Sequence, residues 1–325
     1  MSDVEKIRGL HFIRPVFVGT ITQQSYSAQV AGQITASLSK AEEEGLSREY
    51  AQMGFLTEAT EADTPLTTIL INYYSNLPIA YYIPGTDSLY IISASIDLND
   101  PDVAGTIAHE LTHALQDQNL DMNPTIFPVY SHYNSDAYLA QTSLVEGDAL
   151  FTEFAYDYSV YYTHSAVAVF DSALSLADYY KTGLLTENYP MDFPVFLDVK
   201  GYAPYFLGSS YVGQKYAASS NWNGVNSLYS ISSVPRSSAE INQISPIPVW
   251  YFEFNAIQNL LVSQTPGIEF ADDDNVGFGL FLGLFYGDLD QVRAGRSLDW
   301  RGDRYTFIKR TGQTYGTLVW SIAFA

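Results

Sequence analysis

Asp100-Pro101-Asp102-Val103-Ala104-Gly105-Thr106-Ile107-Ala108-His109-Glu110-Leu111-Thr112-His113-Ala114-Leu115-Gln116-Asp117-Gln118 is the run from which the rest of the chain can be read. Asp100 is a good helix N-cap, and Pro101 fits the first helical position, where a missing N–H costs nothing. Mostly good helix formers follow with no further proline, so the run predicts a helix of about four to five turns. Successive side chains advance by about 100° around its axis. Val103, Ala104, Ile107, Ala108, Leu111, Ala114 and Leu115 therefore share an apolar arc that is expected to face a core. Thr106, His109, Glu110, His113 and Asp117 share a neighbouring polar arc.

That polar arc has the spacing of a zinc site. His109 and His113 are four residues apart, so their imidazoles stand one turn apart on one face and can bind the same ion. Glu110 lies beside them, placed to take a proton from metal-bound water. Chance produces the bare His-Glu-x-x-His pattern in about one chain in a hundred of this length. Most such matches break in a loop or split across two faces, whereas this one lies on a capped amphipathic helix.

A catalytic zinc takes three protein ligands and leaves a fourth position for water. A second helix is expected to start near Ser135 or Asp136 and run through Phe151, with Gly147 in its interior at a cost of about 1 kcal/mol relative to alanine. Close approach of the metal helix would give that glycine a packing reason and makes Glu146 the natural third ligand. Asp148 competes, but it lies about 200° round the helix from Glu146. Glu153, two turns past Glu146, falls on the same side and is a candidate to hydrogen-bond a ligand from behind. The alternative ligand is His132, in a loop over 119–134 that contains Pro124 and Pro128. No His-x-x-Gly-x-x-His continuation appears at Leu120 to Asn123.

Composition narrows the function classes. The 325 residues are 47% hydrophobic, enough for a large core in one or two domains. Only 16% are charged and the formal net charge is -21, so nucleic acid and anionic membrane surfaces are poor partners. Cysteine is absent, which excludes disulfides, thiolate metal sites and a thiol nucleophile. Met1 to Leu10 has no apolar signal core. The most apolar run, Val276 to Tyr286, is shorter than the roughly 18 residues of a spanning helix, so no membrane insertion is expected. A surface rich in Tyr, Ser and Asn and poor in Lys suits an extracellular or cell-surface protein. The oligomeric state is not readable.

Elsewhere the chain is read more coarsely. An apolar stretch from Leu10 to Val18 is broken by Pro15. A polar helical segment follows over about Ser25 to Met53, with Lys40 to Glu44 as a solvated face. Leu77 to Ile83 and Ser88 to Ser93, around Pro84-Gly85-Thr86-Asp87, read as a β-hairpin. Its second strand is expected either to line a cleft and pair with an extended ligand or to be an ordinary core strand. Residues 165–260 read as mainly helical, with loops at 185–194 and 230–248. Asp272-Asp273-Asp274-Asn275 reads as a solvated acidic turn, because it lacks the ligand spacing of a calcium loop. Trp300-Arg301-Gly302-Asp303-Arg304-Tyr305 sets acid beside base, as a structural ion pair or a substrate contact.

His109 to Gln118 together with Glu146-Gly147-Asp148-Ala149 resembles the gluzincin peptidases, in which a downstream Glu completes a His, His, Glu zinc site. More closely, the chain is similar to a little-characterised group of prokaryotic His-Glu-x-x-His proteins. That similarity extends through Ile7 to Leu10, the Tyr81 to Tyr90 hairpin, Pro204 to Gly208, Pro235 to Ser238 and Trp300 to Tyr305. One departure is Ser245 before Pro246, where the group often carries a histidine; no histidine role carries over there.

The resemblance implies an α+β, zincin-like fold with a small sheet, the metal helix and a mostly helical C-terminal half. Residues 1–160 would carry the metal site and 161–325 would close the cleft. It implies a zinc metallopeptidase acting on a peptide or protein substrate. Zn2+ would sit on His109, His113 and Glu146, with Glu110 as general base. Asp117 would orient an imidazole, and Tyr205 or Arg304 would stabilise the oxyanion. The rival expectations are a catalytically silent surface or structural protein of the same fold, and a zinc hydrolase of non-peptide amides or esters.

Overall fold

The computed structural model of the chain describes residues 1–56, 64–76, 79–92, 97, 99–120, 134–162, 165–186, 195–243, 255–279, 282, 300–313 and 316–324. It is a mixed α+β structure. The first part runs α1 (Ser2–Arg8), β1 (Phe17–Ile21), α2 (Gln23–Ser37), α3 (Lys40–Gln52), α4 (Leu66–Asn76), β2 (Ala80–Ile83), β3 (Ser88–Ile92) and α5 (Pro101–Asn119). The second part runs α6 (Ser135–Asp157), which continues into a π-helical turn at Tyr158–Tyr162, then α7 (Ala166–Leu185), α8 (Val195–Ser219), α9 (Asn223–Asn226), α10 (Ser238–Gln243), α11 (Asn255–Gln264), β4 (Ile268–Asp274), β5 (Trp300–Arg310) and β6 (Gly316–Phe324). No described helix is long and apolar enough to cross a membrane.

The small first sheet has the order β1-β3-β2, with β1 parallel and β2 antiparallel to β3. Leu89 and Ile91 alternate into the interior from β3 and meet Ala108, Leu111, Ala114 and Leu115 on α5. The apolar arc of α5 thus packs against the sheet, with Val103 and Ile107 at its partly exposed margin. Of the two readings of the hairpin's second strand, the ordinary core strand is the one the fold matches. β3 is enclosed on both sides because β1 pairs along its second edge, which leaves β1 and β2 as the outer strands among the described residues.

Helix α6 packs against α5 and α8. Asp100 caps α5 by accepting from Asp102 N at 3.1 Å. The start of α6 is held by several side chains. Asn134 Oδ1 accepts from Ala137 N at 2.9 Å, Asp274 Oδ1 from Ser135 N at 3.0 Å and Asn275 Oδ1 from Asp136 N at 3.2 Å. The acidic run from 272 to 275 is therefore no solvated turn. Its first three residues end β4, and Asp274 and Asn275 cap the helix that carries Glu146.

Gly147 has a packing reason, but its partner is not α5. A Cβ there would lie 2.1 Å from the backbone carbon of Gly208 on α8, and one on Gly208 would lie 2.0 Å from Ser143 O. The two helices touch backbone to backbone at this pair. Helix α5 makes its own close approach to α6 at Gly105, where a Cβ would sit 3.1 Å from Asp157 Oδ1.

Two further expectations change. The polar segment over 25–53 is two helices, broken where Ser39 forms a capping box with Glu42. Within the expected solvated face, Glu43 accepts from Thr67 N at 2.9 Å and Thr67 Oγ1 at 2.6 Å. The mainly helical C-terminal reading stops at Gln264, beyond which β4, β5 and β6 form an antiparallel sheet. The largest buried cluster includes residues from Met53 to Tyr305, drawing on both sides of position 160.

Candidate metal centre

His109 and His113 on α5 and Glu146 on α6 converge at the α5–α6 contact. The His109 and His113 Nε2 atoms are 3.1 Å apart, and each lies 3.3 Å from Glu146 Oε2. The opposite ring nitrogens are occupied. His109 Nδ1 faces Glu153 Oε2 at 3.1 Å, and His113 Nδ1 faces Gln116 Oε1 at 2.9 Å. Gln116 donates its Nε2 to Val145 O and to the Tyr229 hydroxyl, at 3.0 Å and 3.1 Å, which fixes its oxygen toward His113.

This arrangement dictates the chemistry of the triangle. Each Nδ1 faces an oxygen acceptor and so carries the hydrogen, which leaves each neutral imidazole with a lone pair on Nε2. Two such lone pairs and a carboxylate oxygen then point at one spot. Either a proton or a metal cation relieves their repulsion. Burial works against an imidazolium at His109, but hydrogen bonds to Glu146 and Glu153 outweigh it and lift its pKa well above the usual range. At His113 burial is likewise opposed, chiefly by the charge of Glu146, and the pKa rises. Burial resists the charge on Glu146, yet the facing imidazoles prevail and hold its carboxyl well below the usual range. Proton and metal therefore compete for one place.

Glu110 is not part of the triangle. Its Oε2 accepts from Tyr82 N at 2.7 Å, which ties it to β2. Burial raises its pKa, against the pull of His113 and His109 and with help from Glu146. Tyr205 on α8 stacks on His109 with ring centroids 5.8 Å apart. The charge of Glu146 and then burial push its phenol well above the usual range, so it remains a neutral O–H donor beside the site.

Two cavities, of about 430 and about 330 Å³, open on either side and share Ala80, Glu110, Gly201 and Tyr205 in their walls. The larger also reaches His113 and Glu146, the smaller His109 and Glu153. Arg304 is on β5, paired with Ser321 of β6, and lines neither cavity.

Asp117 requires a correction. Its Oδ2 accepts from the Tyr82 hydroxyl and from Gly85 N, both at 2.8 Å, so it clamps the hairpin onto α5. The groups behind the imidazoles are Glu153 and Gln116 instead. Glu153 was legible from its two-turn spacing to Glu146. Gln116 was missed because an amide does not announce itself as an imidazole partner, although a position three residues after His113 on a helix is within reach.

Asp148, the rival ligand, faces the other way. It is fully buried, with Oδ1 2.7 Å from Arg8 Nε and Oδ2 2.8 Å from Arg8 Nη2. The same Oδ2 accepts from the Tyr229 hydroxyl at 2.7 Å. A continuous chain of contacts thus runs from Arg8 through Asp148, Tyr229 and Gln116 to His113. Within Trp300 to Tyr305, Asp303 accepts from Val276 N, Gly277 N and Trp320 Nε1, each at 2.8 Å. His132, Ser245 and Pro246 lie outside the described residues.

No family model, curated protein or solved structure matches this chain.

Proposed function

We propose that the protein is a zinc-dependent metallopeptidase with a zincin-like site, in which His109, His113 and Glu146 hold the ion. The observation that carries the reading is the triangle of acceptor atoms with both Nδ1 positions already committed. Donors at about 2.0–2.1 Å around a tetrahedral zinc stand about 3.3 Å apart, and the edges here are 3.1, 3.3 and 3.3 Å. A His, His, Glu set with no thiolate suits zinc bound at three positions with one left open. Bound there, zinc supplies a Lewis acid that polarises a carbonyl and makes a water nucleophilic near neutral pH.

The chain's own residues divide the remaining work. Glu110 takes the proton from the attacking water and returns it to the departing amine. Its bond from Tyr82 N aims the carboxylate, and burial raises its proton affinity toward that of a useful base. Tyr205, neutral and between the two cavities, donates its hydroxyl to the oxygen that gains charge. It is preferred over Arg304, which lines neither cavity. β2 is an outer strand that lines the larger cavity through Ala80, Tyr81 and Tyr82, which supports an extended peptide as the ligand, since such a backbone can add to a sheet edge.

The test is digestion of a broad peptide library by wild type and Glu110→Gln, each assayed for metal. Glu110→Gln should keep its metal and lose about a hundredfold or more in kcat. Full activity in that variant would contradict the reading. A wild type that binds metal and cuts nothing would favour the silent structural alternative.

A further inference from the structure

The chain has 15 Lys and Arg against 36 Asp and Glu, so a cation facing a cavity is conspicuous. Lys200 is the one lysine or arginine among the described residues lining the larger cavity. It is partly buried and, among the described residues, makes no hydrogen bond or ion pair. The two acidic side chains in the same wall have other work, Glu146 in the acceptor triangle and Glu110 on Tyr82 N. Lys200 also stands in a defined place. It adjoins Gly201, which is in the wall of both cavities and lets the Tyr73 hydroxyl pack against α8, where a Cβ would lie 1.8 Å from it. It precedes Tyr205 by five residues, or about 7–8 Å of helix axis. Much of the remaining wall is tyrosine, including Tyr26, Tyr74, Tyr81 and Tyr138.

We infer that Lys200 recognises a carboxylate on the peptide substrate, carried on the side of the scissile bond that enters the larger cavity. This rests on the peptidase reading above and deepens it to a substrate class. In an acidic molecule that repels anions at long range, a single ammonium in a partly enclosed cavity gives an anionic group one favourable place. The carboxylate is either an acidic side chain, as in an endopeptidase substrate, or a free C-terminus, as in an exopeptidase substrate. The smaller cavity has no lysine or arginine among its described lining residues and offers Ile79, Leu150, Tyr202 and Phe206 to an apolar residue.

The test uses zinc-loaded full chain and matched synthetic heptapeptides with Glu, Gln or Lys fixed at each position in turn, each as free acid and as C-terminal amide. Wild type is expected to favour the acidic partner by about tenfold or more in kcat/KM, mainly through KM. Lys200→Gln should remove that preference, and Lys200→Glu should reverse it toward lysine-containing peptides. Dependence on Glu identifies the side-chain source, and dependence on the free acid identifies the terminal one. Equal use of acidic and neutral partners by wild type, or an unchanged preference in Lys200→Gln, overturns the inference. If wild type cuts no peptide, the peptidase reading fails separately. Binding of the same peptides to zinc-loaded Glu110→Gln then decides: tighter binding of the acidic partner, lost when Lys200→Gln is added, supports recognition, and equal binding overturns it.

Discussion

Glu146 and Asp148 stand two residues apart on α6 and meet opposite surroundings. Asp148 turns inward to a permanent cation, the guanidinium of Arg8, which itself lies 4.2 Å over the Trp222 ring and donates to Asn226. Glu146 turns toward the larger cavity and meets the Nε2 atoms of His109 and His113. On the proposed reading, the difference separates a carboxylate that holds the fold from one that takes part in binding an ion. A third, Asp303, is an intermediate case: it is buried and accepts hydrogen bonds from the neutral N–H groups of Val276, Gly277 and Trp320.

The comparison breaks most visibly at Asp148. Asp148→Ala leaves Arg8 buried and unpaired and should cost about 3–5 kcal/mol in urea unfolding. A loss below about 1 kcal/mol would mean that the pair is not what secures α1 against α6.

Asp303 sharpens the middle case through pH. Burial outweighs its three donors and lifts its folded pKa from the ordinary 3.8 to about 6. In the window between those values the folded chain holds a proton that the unfolded chain has released. Stability from this group is therefore present at the acid end and falls as pH rises. Between about pH 4 and about pH 6, wild type should lose about 2 kcal/mol relative to Asp303→Asn. Parallel pH profiles for the two proteins would contradict it.

The smallest effect belongs to the link between the two sides of α6. Gln116→Leu frees His113 Nδ1 and should weaken zinc binding by about 10- to 100-fold, read by competition with a chelator. An unchanged affinity would make the chain from Arg8 to His113 irrelevant to the ion.

Much of this was legible because the decisive signals are local. Helix periodicity alone gathers His109, Glu110 and His113, and Asp100-Pro101 marks where their helix starts. Glu146 could be picked out from Asp148 by the same 100° step. What escaped was long-range. Nothing in Phe17 to Ile21 announces that it will close the second edge of β3, and nothing around Gly147 names Gly208 as its contact. Asp117 shows the same limit at one turn's distance. The period puts it on the polar arc, but the hairpin arriving at that end, with the Tyr82 hydroxyl and Gly85 N as donors, decides what it touches.

The central claim is that the acceptor triangle is a place for a metal ion. The measurement is metal content by mass spectrometry, on wild type and Glu146→Ala purified without chelators and then offered zinc. About one zinc per chain in wild type, lost in a variant that remains folded, is the predicted result. A wild type that takes up no metal even when zinc is supplied would contradict it, leaving the triangle to be held together by a proton.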